Sequence, residues 1–146
     1  MNQKKNPTEL SYYGLYLLSY LKESHPDKAN DTEFIQTRAD HAADVYEQAR
    51  REGYQPNGAQ ELAMAALMKG LHFSKYNTII EVLWNELSDE VAQSEAPAAA
   101  LKLLPYLEGI FAQYPLSDGF AYSSEYEQLY CELTGAILIS IEENGI

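Results

Sequence analysis

The sequence predicts an all-α fold of about six helices in a compact multihelical arrangement. Apolar residues recur at helical spacing along nearly the whole chain, and turn-forming residues interrupt this pattern repeatedly. Strand-like alternation is weak and is confined to the six residues AILISI. We expect one compact unit over residues 1–146, with 1–73 and 74–146 as small helical halves if the chain divides.

The first two helices have clear predicted ends. The first is capped by Thr8 or Ser11 and ends near Ser24, before the turn-forming segment HPDKAND. The second begins within residues 30–32 and is closed by Gly53 in a left-handed conformation. Small side chains dominate the side of the second helix that we expect to face inward: Ala39, Ala42, Tyr46 and Ala49.

The third predicted helix runs from Asn57 or Gly58 to about His72, and Ser74 caps the fourth. The fourth helix is expected to continue to about residue 91, because its apolar side chains form one continuous face. We expect this whole face to be buried: Tyr76, Ile79, Ile80, Leu83, Trp84, Leu87 and Val91.

The fifth predicted helix, from Ser94 to about Gln113, contains Pro105. A proline inside a helix costs about 3 kcal/mol or more, whereas burying each large apolar side chain contributes about 1.5–3 kcal/mol. Apolar side chains share one face on both sides of the proline: Leu103, Leu104, Leu107, Ile110, Phe111 and Tyr114. We therefore predict one helix, bent at Leu101–Pro105 and with Lys102 in solvent, rather than two short helices.

The sixth helix is predicted to begin with a capping box formed by Ser124 and Glu127 and to end at Gly145. Cys131, the single cysteine, lies within it and has no partner for an intramolecular disulfide. Because Tyr130 flanks it and no histidine is near, we expect a half-buried core thiol rather than a nucleophile.

Charge is distributed unevenly along the chain, which has a formal net charge of −12. From residue 76 to 146, Lys102 is the only basic residue against twelve acidic ones, a net charge of −11. Such a surface repels phosphates and anionic lipids, so we expect neither direct nucleic-acid binding nor membrane association. No apolar run is long enough for a membrane span or a signal peptide, which predicts a cytoplasmic protein.

The tripeptide His25-Pro26-Asp27 is the one that marks J-domain co-chaperones. In those proteins the tripeptide follows a long basic helix, which another helix precedes. Here the preceding helix carries one lysine and one glutamate, and only about ten residues precede that helix. Since Pro26 disfavours helical geometry at His25, we interpret the segment as a helix stop and restart.

The segment DHAAD places Asp40 and Asp44 one helical turn apart, with His41 between them. Metal sites in helical bundles use inward-facing carboxylates and Glu-x-x-His pairs, and no glutamate stands three residues before a histidine here. With Ala39 and Ala42 facing inward, these charged residues fall on the solvent side. We expect no metal and no cofactor.

The segment GLHFSKYN gathers side chains that are common in acid–base catalysis, His72, Ser74, Lys75 and Tyr76. No third group is spaced to orient His72, and the chain has no phosphate-binding glycine loop or nucleophile elbow. We interpret the segment as a capping turn, and we predict no catalytic residue. The sequence does not decide whether the protein is an enzyme, but the lack of a catalytic motif argues against it.

Four tyrosines of the first helix form the candidate interaction surface: Tyr12, Tyr13, Tyr16 and Tyr20. They fill an arc of about 100°, separate from the side that carries Leu10, Leu17, Leu18 and Leu21. A helix that is apolar on two sides is either packed between neighbours or offers its second side to a partner. Tyrosine suits a partly hydrated protein contact. Both interpretations stay open.

Three long stretches give the chain a family resemblance, namely ELSYYGLYLLSYLKESHPDKANDTEFI, GAQELAMAALMKGLHFSKYNTIIEVLWNEL and YPLSDGFAYSSEYEQLY. They resemble a family of short acidic proteins from Bacteroidetes bacteria that is catalogued as a domain of unknown function. The resemblance implies an all-helical, cytoplasmic bacterial protein, often encoded among mobile or accessory genes. It implies no catalytic residues.

Three functions are compatible with these features. The favoured hypothesis is a non-catalytic helical interaction protein whose tyrosine-rich or acidic surface contacts a protein partner or a second copy. The alternative is an acidic DNA mimic that inhibits a nucleic-acid-binding enzyme, although twelve acids in 71 residues are few for this role. A further alternative is a small-ligand binder or enzyme with a site assembled from distant residues, such as His72, Tyr76 and the loop DGFAY.

Overall fold

Helices account for the regular secondary structure of the computed structural model, which describes residues 11–145; no strand occurs in that range. The α-helices are Tyr12–Ser24 (α1), Thr32–Arg51 (α2), Pro56–Met68 (α3), Lys75–Glu86 (α4), Ala96–Phe111 (α5) and Tyr126–Asn144 (α6). Short 3₁₀ turns occupy Pro26–Lys28, Gln93–Glu95 and Phe120–Tyr122. The predicted all-α fold of about six helices is confirmed.

The helices group into two units. The first unit contains α1, α2 and α3 and ends at Lys69, and the second begins at Gly70 and contains α4, α5 and α6. Each unit has its own buried side chains.

The first unit has buried alanines on α2 and α3, the pair of helices with the most extensive contact. The alanine seam consists of residues that are at most 4% exposed: Ala39, Ala42, Ala49, Ala59 and Ala63. Small side chains allow two helix backbones to approach closely, and α1 adds Leu17 and Leu21, which are fully buried. The predicted inward side of α2 is confirmed, with Tyr46 half-buried beside the alanines.

Side chains cap these helices largely as predicted. The Ser11 hydroxyl accepts a hydrogen bond from the Gly14 N–H (3.1 Å), and the Asp31 carboxylate accepts one from the Phe34 N–H (3.1 Å). Gly53, with φ +100°, follows the end of α2 as expected. The alternative cap, Thr8, and Leu10 lie outside the described residues.

The third helix ends four residues before its predicted end. Its last turn is capped by the Arg38 guanidinium group, which donates to the carbonyl oxygens of Leu67 (2.9 Å) and Lys69 (2.8 Å). A cation suits this position because the carbonyl groups at a helix C-terminus lack intrahelical donors. Gly70 then adopts φ +80°, which places it in the left-handed region and prevents the helix from continuing.

The core of the second unit lies between α4, α5 and α6. Most of the predicted face of α4 is buried, but Trp84 is 44% exposed, so its predicted burial is wrong. The indole N–H donates to the Gln93 carbonyl (3.3 Å), a partner that the core does not offer. The helix also ends at Glu86, although Leu87 and Val91 remain buried beyond it.

The fifth helix is continuous through Pro105 from Ala96 to Phe111, which confirms the prediction of one helix. The predicted stripe is buried at Leu103, Leu104, Leu107 and Phe111 and half-buried at Ile110 and Tyr114. Lys102 is exposed, as expected, and so is Pro105. The bend near the proline stays a prediction.

The sixth helix differs from its prediction at its start and at Cys131. Its cap residue is Glu125, which makes no side-chain capping bond, so the predicted capping box is wrong. Leu129, Leu133 and Ile137 are fully buried at intervals of four residues. Cys131 therefore points the opposite way and is exposed, not half-buried. Gly145 ends the helix with φ +68°, as predicted.

Candidate interaction surface

The outward side of α1 is apolar. Tyr12 is 62% exposed, Leu15 57% and Tyr16 44%, whereas Leu17 and Leu21 on the other side of the same helix are fully buried. Tyr12, Leu15, Tyr16 and the exposed Ser19 follow helical spacing and form what we call the α1 face. The rings of Tyr12 and Tyr16 lie 6.4 Å apart between centroids.

The other two predicted tyrosines lie at the border of this face and are half-buried. The Tyr13 hydroxyl donates to the side-chain carbonyl of Gln60 on α3 (2.7 Å), and burial raises the pKa of this phenol. The Tyr20 ring packs against the His25 ring, with 5.9 Å between centroids. Two of the four predicted tyrosines are thus well exposed, and two are held within the first unit.

Sequence reasoning missed Leu15. It stands three residues after Tyr12, so helical spacing places it next to Tyr12, about 60° outside the arc of the four tyrosines. Residues 11–21 carry no charged side chain, which makes the α1 face uncharged as well as apolar.

The His25-Pro26-Asp27 segment ends one helix and begins a short helical turn, as predicted from the sequence. The backbone N–H of His25 donates to the Leu21 carbonyl (2.7 Å) at the end of α1, and a 3₁₀ turn follows at Pro26–Lys28. The His25 side chain is 7% exposed and is therefore not presented at the surface.

The DHAAD segment lies on the solvent side of α2. Asp40, His41, Asp44 and Glu47 are all exposed, and Glu47 forms an ion pair with Arg51 (3.6 Å). Within residues 11–145, no group of three or more histidine, cysteine or acidic side chains is placed to hold a metal ion.

The turn between α3 and α4 is held by the DGFAY loop. The Asp118 carboxylate accepts hydrogen bonds from the backbone N–H groups of Gly70 (2.9 Å) and His72 (3.0 Å). The buried Ser74 hydroxyl accepts from the Asn77 N–H (2.9 Å) and caps α4, as predicted. The structure thus brings this loop and this turn together, through contacts that fix the backbone.

Tyrosine–glutamate hydrogen bonds, which sequence reasoning also missed, tie α6 to the rest of the second unit. Tyr126 donates to Glu81 (3.0 Å) and Tyr130 to Glu86 (3.3 Å), both on α4, and Tyr114 donates to Glu132 on α6 (2.9 Å). Burial, with the Glu81 contact as the next cause, raises the pKa of Tyr126 to about 12. This phenol therefore keeps its proton between pH 10 and about 12, where an ordinary tyrosine loses it.

Comparison with known proteins agrees with this architecture. Residues 5–146 match the family model described as a domain of unknown function, DUF1896, and the chain belongs to this family. The crystal structure of protein PG0816 from Porphyromonas gingivalis has the same fold, with a TM-score of 0.88 and 39% sequence identity over 93% of each chain. The resemblance to a Bacteroidetes family of unknown function is thereby confirmed.

No curated protein matched the chain. The family carries no assigned function, so no residue role can be transferred from it. Across the part of the chain that the structure describes, no helix has both the length and the apolar character needed to cross a membrane.

Proposed function

We propose that this protein is a non-catalytic interaction protein that binds another protein through the α1 face. One observation carries the proposal. Tyr12, Leu15 and Tyr16 expose 62%, 57% and 44% of their surface on one side of a helix whose other side is fully buried at Leu17 and Leu21.

The chemistry of the α1 face favours a protein partner. Tyrosine rings supply large contact areas with few rotatable bonds, and their hydroxyl groups can stay hydrated or bond across an interface. Because residues 11–21 are uncharged, the face offers nothing that would attract a phosphate backbone or an anionic lipid. An apolar protein surface is the complementary partner.

Several of the polar groups that could have suggested catalysis have structural roles. Asp118 fixes the α3–α4 turn, Ser74 caps α4, and Tyr126 joins α6 to α4. Lys75 forms an ion pair with Glu108 (2.9 Å). A catalytic site needs a nucleophile, a base and an orienting group that bond to one another, and these bonds go to the backbone or join helices instead.

The proposal can be tested by affinity purification from the native bacterium followed by mass spectrometry. Tagged wild type is compared with the double variant Tyr12→Ser/Tyr16→Ser and with a control, Tyr54→Ser/Tyr122→Ser, which removes two tyrosines that are 46% and 93% exposed. We expect wild type and control to recover the same protein and the α1 variant to lose it, because truncating central aromatic contacts often costs about 2 kcal/mol or more.

Equal recovery by all three proteins would contradict binding through the α1 face. Circular dichroism of the purified variants verifies that each is folded. Light scattering of the wild type at increasing concentration shows whether the bound protein is a second copy of this chain.

A further inference from the structure

The second unit has an apolar surface of its own on α5. Leu101 is 45% exposed and Tyr106 62%, and small residues lie between them on the same side of the helix. A Cβ atom added at Gly109 would meet nothing within 4 Å, so no other part of the described chain packs against this position. We call it the α5 face: Ala98, Leu101, Lys102, Pro105, Tyr106 and Gly109.

Pro105 leaves a backbone carbonyl, that of Leu101, without its usual donor on this apolar surface. Pro105 has no N–H, so it cannot donate the hydrogen bond that the Leu101 carbonyl would receive in an uninterrupted helix. The small side chains around it let another backbone or a long side chain approach closely.

An open depression of about 220 Å³ adjoins the α5 face and shares Ala98 and Lys102 with it. Its apolar lining includes Val91 and Ala99, which are 6% and 9% exposed, and its other lining residues are Glu90 and Glu95. An apolar floor with carboxylates at the edge suits a lysine or arginine side chain, whose stem is apolar and whose head is charged. Two carboxylates against the single Lys102 leave the depression negative.

The charge of the whole unit selects the same kind of partner. Residues 70–146 contain Lys75 and Lys102 against twelve acidic residues, a net charge of −10, and Lys75 is already paired with Glu108. A field of this sign repels nucleic acids, anionic membranes and a second copy of the same unit. It attracts a cationic polypeptide and accelerates the encounter.

We propose that the α5 face and the adjoining depression bind a basic amphipathic helix of a partner protein. Apolar side chains of that helix cover Leu101 and Tyr106, and one of its lysine or arginine side chains enters the depression between Glu90 and Glu95. This surface belongs to the second unit and does not depend on the α1 face.

The test uses the full chain and a synthetic amphipathic peptide of leucine and lysine, about 18 residues long so that it can form a helix when bound. A matched peptide carries glutamate in place of lysine. Binding is measured by fluorescence anisotropy at several salt concentrations. We expect the lysine peptide to bind with an affinity that falls as salt rises, and the glutamate peptide not to bind.

Variants separate site binding from general attraction to an acidic protein. Leu101→Ser/Tyr106→Ser should weaken binding of the lysine peptide by about tenfold or more, since it removes the apolar contacts. Glu90→Gln/Glu95→Gln should weaken binding and reduce its salt dependence. The control Tyr122→Ser/Ile139→Ser removes residues that are 93% and 54% exposed and should bind like wild type.

Three results would overturn the proposal. One is the absence of binding by the lysine peptide even at low salt. Another is equal affinity of the Leu101→Ser/Tyr106→Ser variant and the control, which would show attraction by charge alone. The third is a dimer of the free protein that the Leu101→Ser/Tyr106→Ser variant abolishes. Such a dimer would show that a second copy of this chain covers the α5 face.

Discussion

The hydroxyl group of Tyr126 on α6 donates a 3.0 Å hydrogen bond to the carboxylate of Glu81 on α4, across 45 residues of sequence. The Tyr126 ring is half-buried and lies 6.3 Å from the Phe120 ring and 6.4 Å from the Phe73 ring. One side chain therefore combines an aromatic contact with a charge-assisted hydrogen bond, and both hold the second unit together.

Removing only the hydroxyl group of Tyr126 tests the hydrogen bond. We expect Tyr126→Phe to lower the free energy of unfolding by about 1 kcal/mol, because the ring is kept while the bond to an exposed carboxylate is lost. Urea denaturation measures the change. Tyr122→Phe serves as the control, since Tyr122 is 93% exposed, and it should leave stability unchanged. Equal effects of the two substitutions would show that the hydrogen bond between Tyr126 and Glu81 contributes nothing to the free energy of unfolding.

Stability should depend on alkaline pH through the same residue. The pKa of Tyr126 is raised from 10.0 to about 12 in the folded chain, so between these values the folded state holds a proton that the unfolded state has lost. Its contribution is complete below pH 10 and is lost as the pH rises toward 12. Urea unfolding across this range should show a steeper fall in wild type than in Tyr126→Phe. If the free energy of unfolding fell equally with pH in both proteins, the raised pKa of Tyr126 would not contribute to stability.

Asp118 should stabilise the turn between α3 and α4. Asp118→Ala removes the acceptor for the N–H groups of Gly70 and His72 and should cost about 1–3 kcal/mol, whereas Asp118→Asn keeps one acceptor oxygen and should cost less. Hydrogen exchange supplies a local readout, because these two amides should exchange faster in both variants. Unchanged exchange at Gly70 and His72 would contradict this role.

Replacing Pro105 should stabilise the protein. Pro105 is exposed inside α5, so Pro105→Ala restores a backbone donor without removing a buried contact, and we expect a gain of about 1–3 kcal/mol. Pro97 lies in the first turn of the same helix, where a missing N–H costs little. Pro97→Ala is the matched control and should give no comparable gain. A loss of stability in Pro105→Ala would show that the proline is needed in the folded chain.

Local features of the fold could be predicted from the sequence because their causes are local. Ser11, Asp31 and Ser74 cap the helices that follow them, and the apolar stripe around Pro105 outweighs the broken hydrogen bond. The end of α4 was harder to predict, because Leu87 and Val91 continue the apolar pattern but are buried beyond the end of the helix.

Contacts between distant residues could not be predicted. The partners of Tyr126 and Tyr130 lie on another helix, and no spacing in the sequence reveals them. Trp84 is 44% exposed, and its indole N–H donates to a carbonyl nine residues away, a contact that helical spacing does not indicate. Tyr12 and Tyr16 of the α1 face follow from helical spacing, whereas Leu15 is their neighbour on the helix but lies outside the predicted tyrosine arc. Which of the four tyrosines stay exposed depends on Gln60 and His25, and only the structure shows those contacts.

The alanine seam of α2 and α3 limits which substitutions the first unit tolerates. At the fully buried positions, such as Ala42, Ala59 and Ala63, a larger side chain would force its neighbours to shift, and glycine would weaken the helix instead. Exposed positions on the same helices, such as Asp40 and Asp44, are free of this restriction. Substitutions are thus expected to be tolerated mainly on the outer surface of these helices, where they leave the contact between α2 and α3 undisturbed.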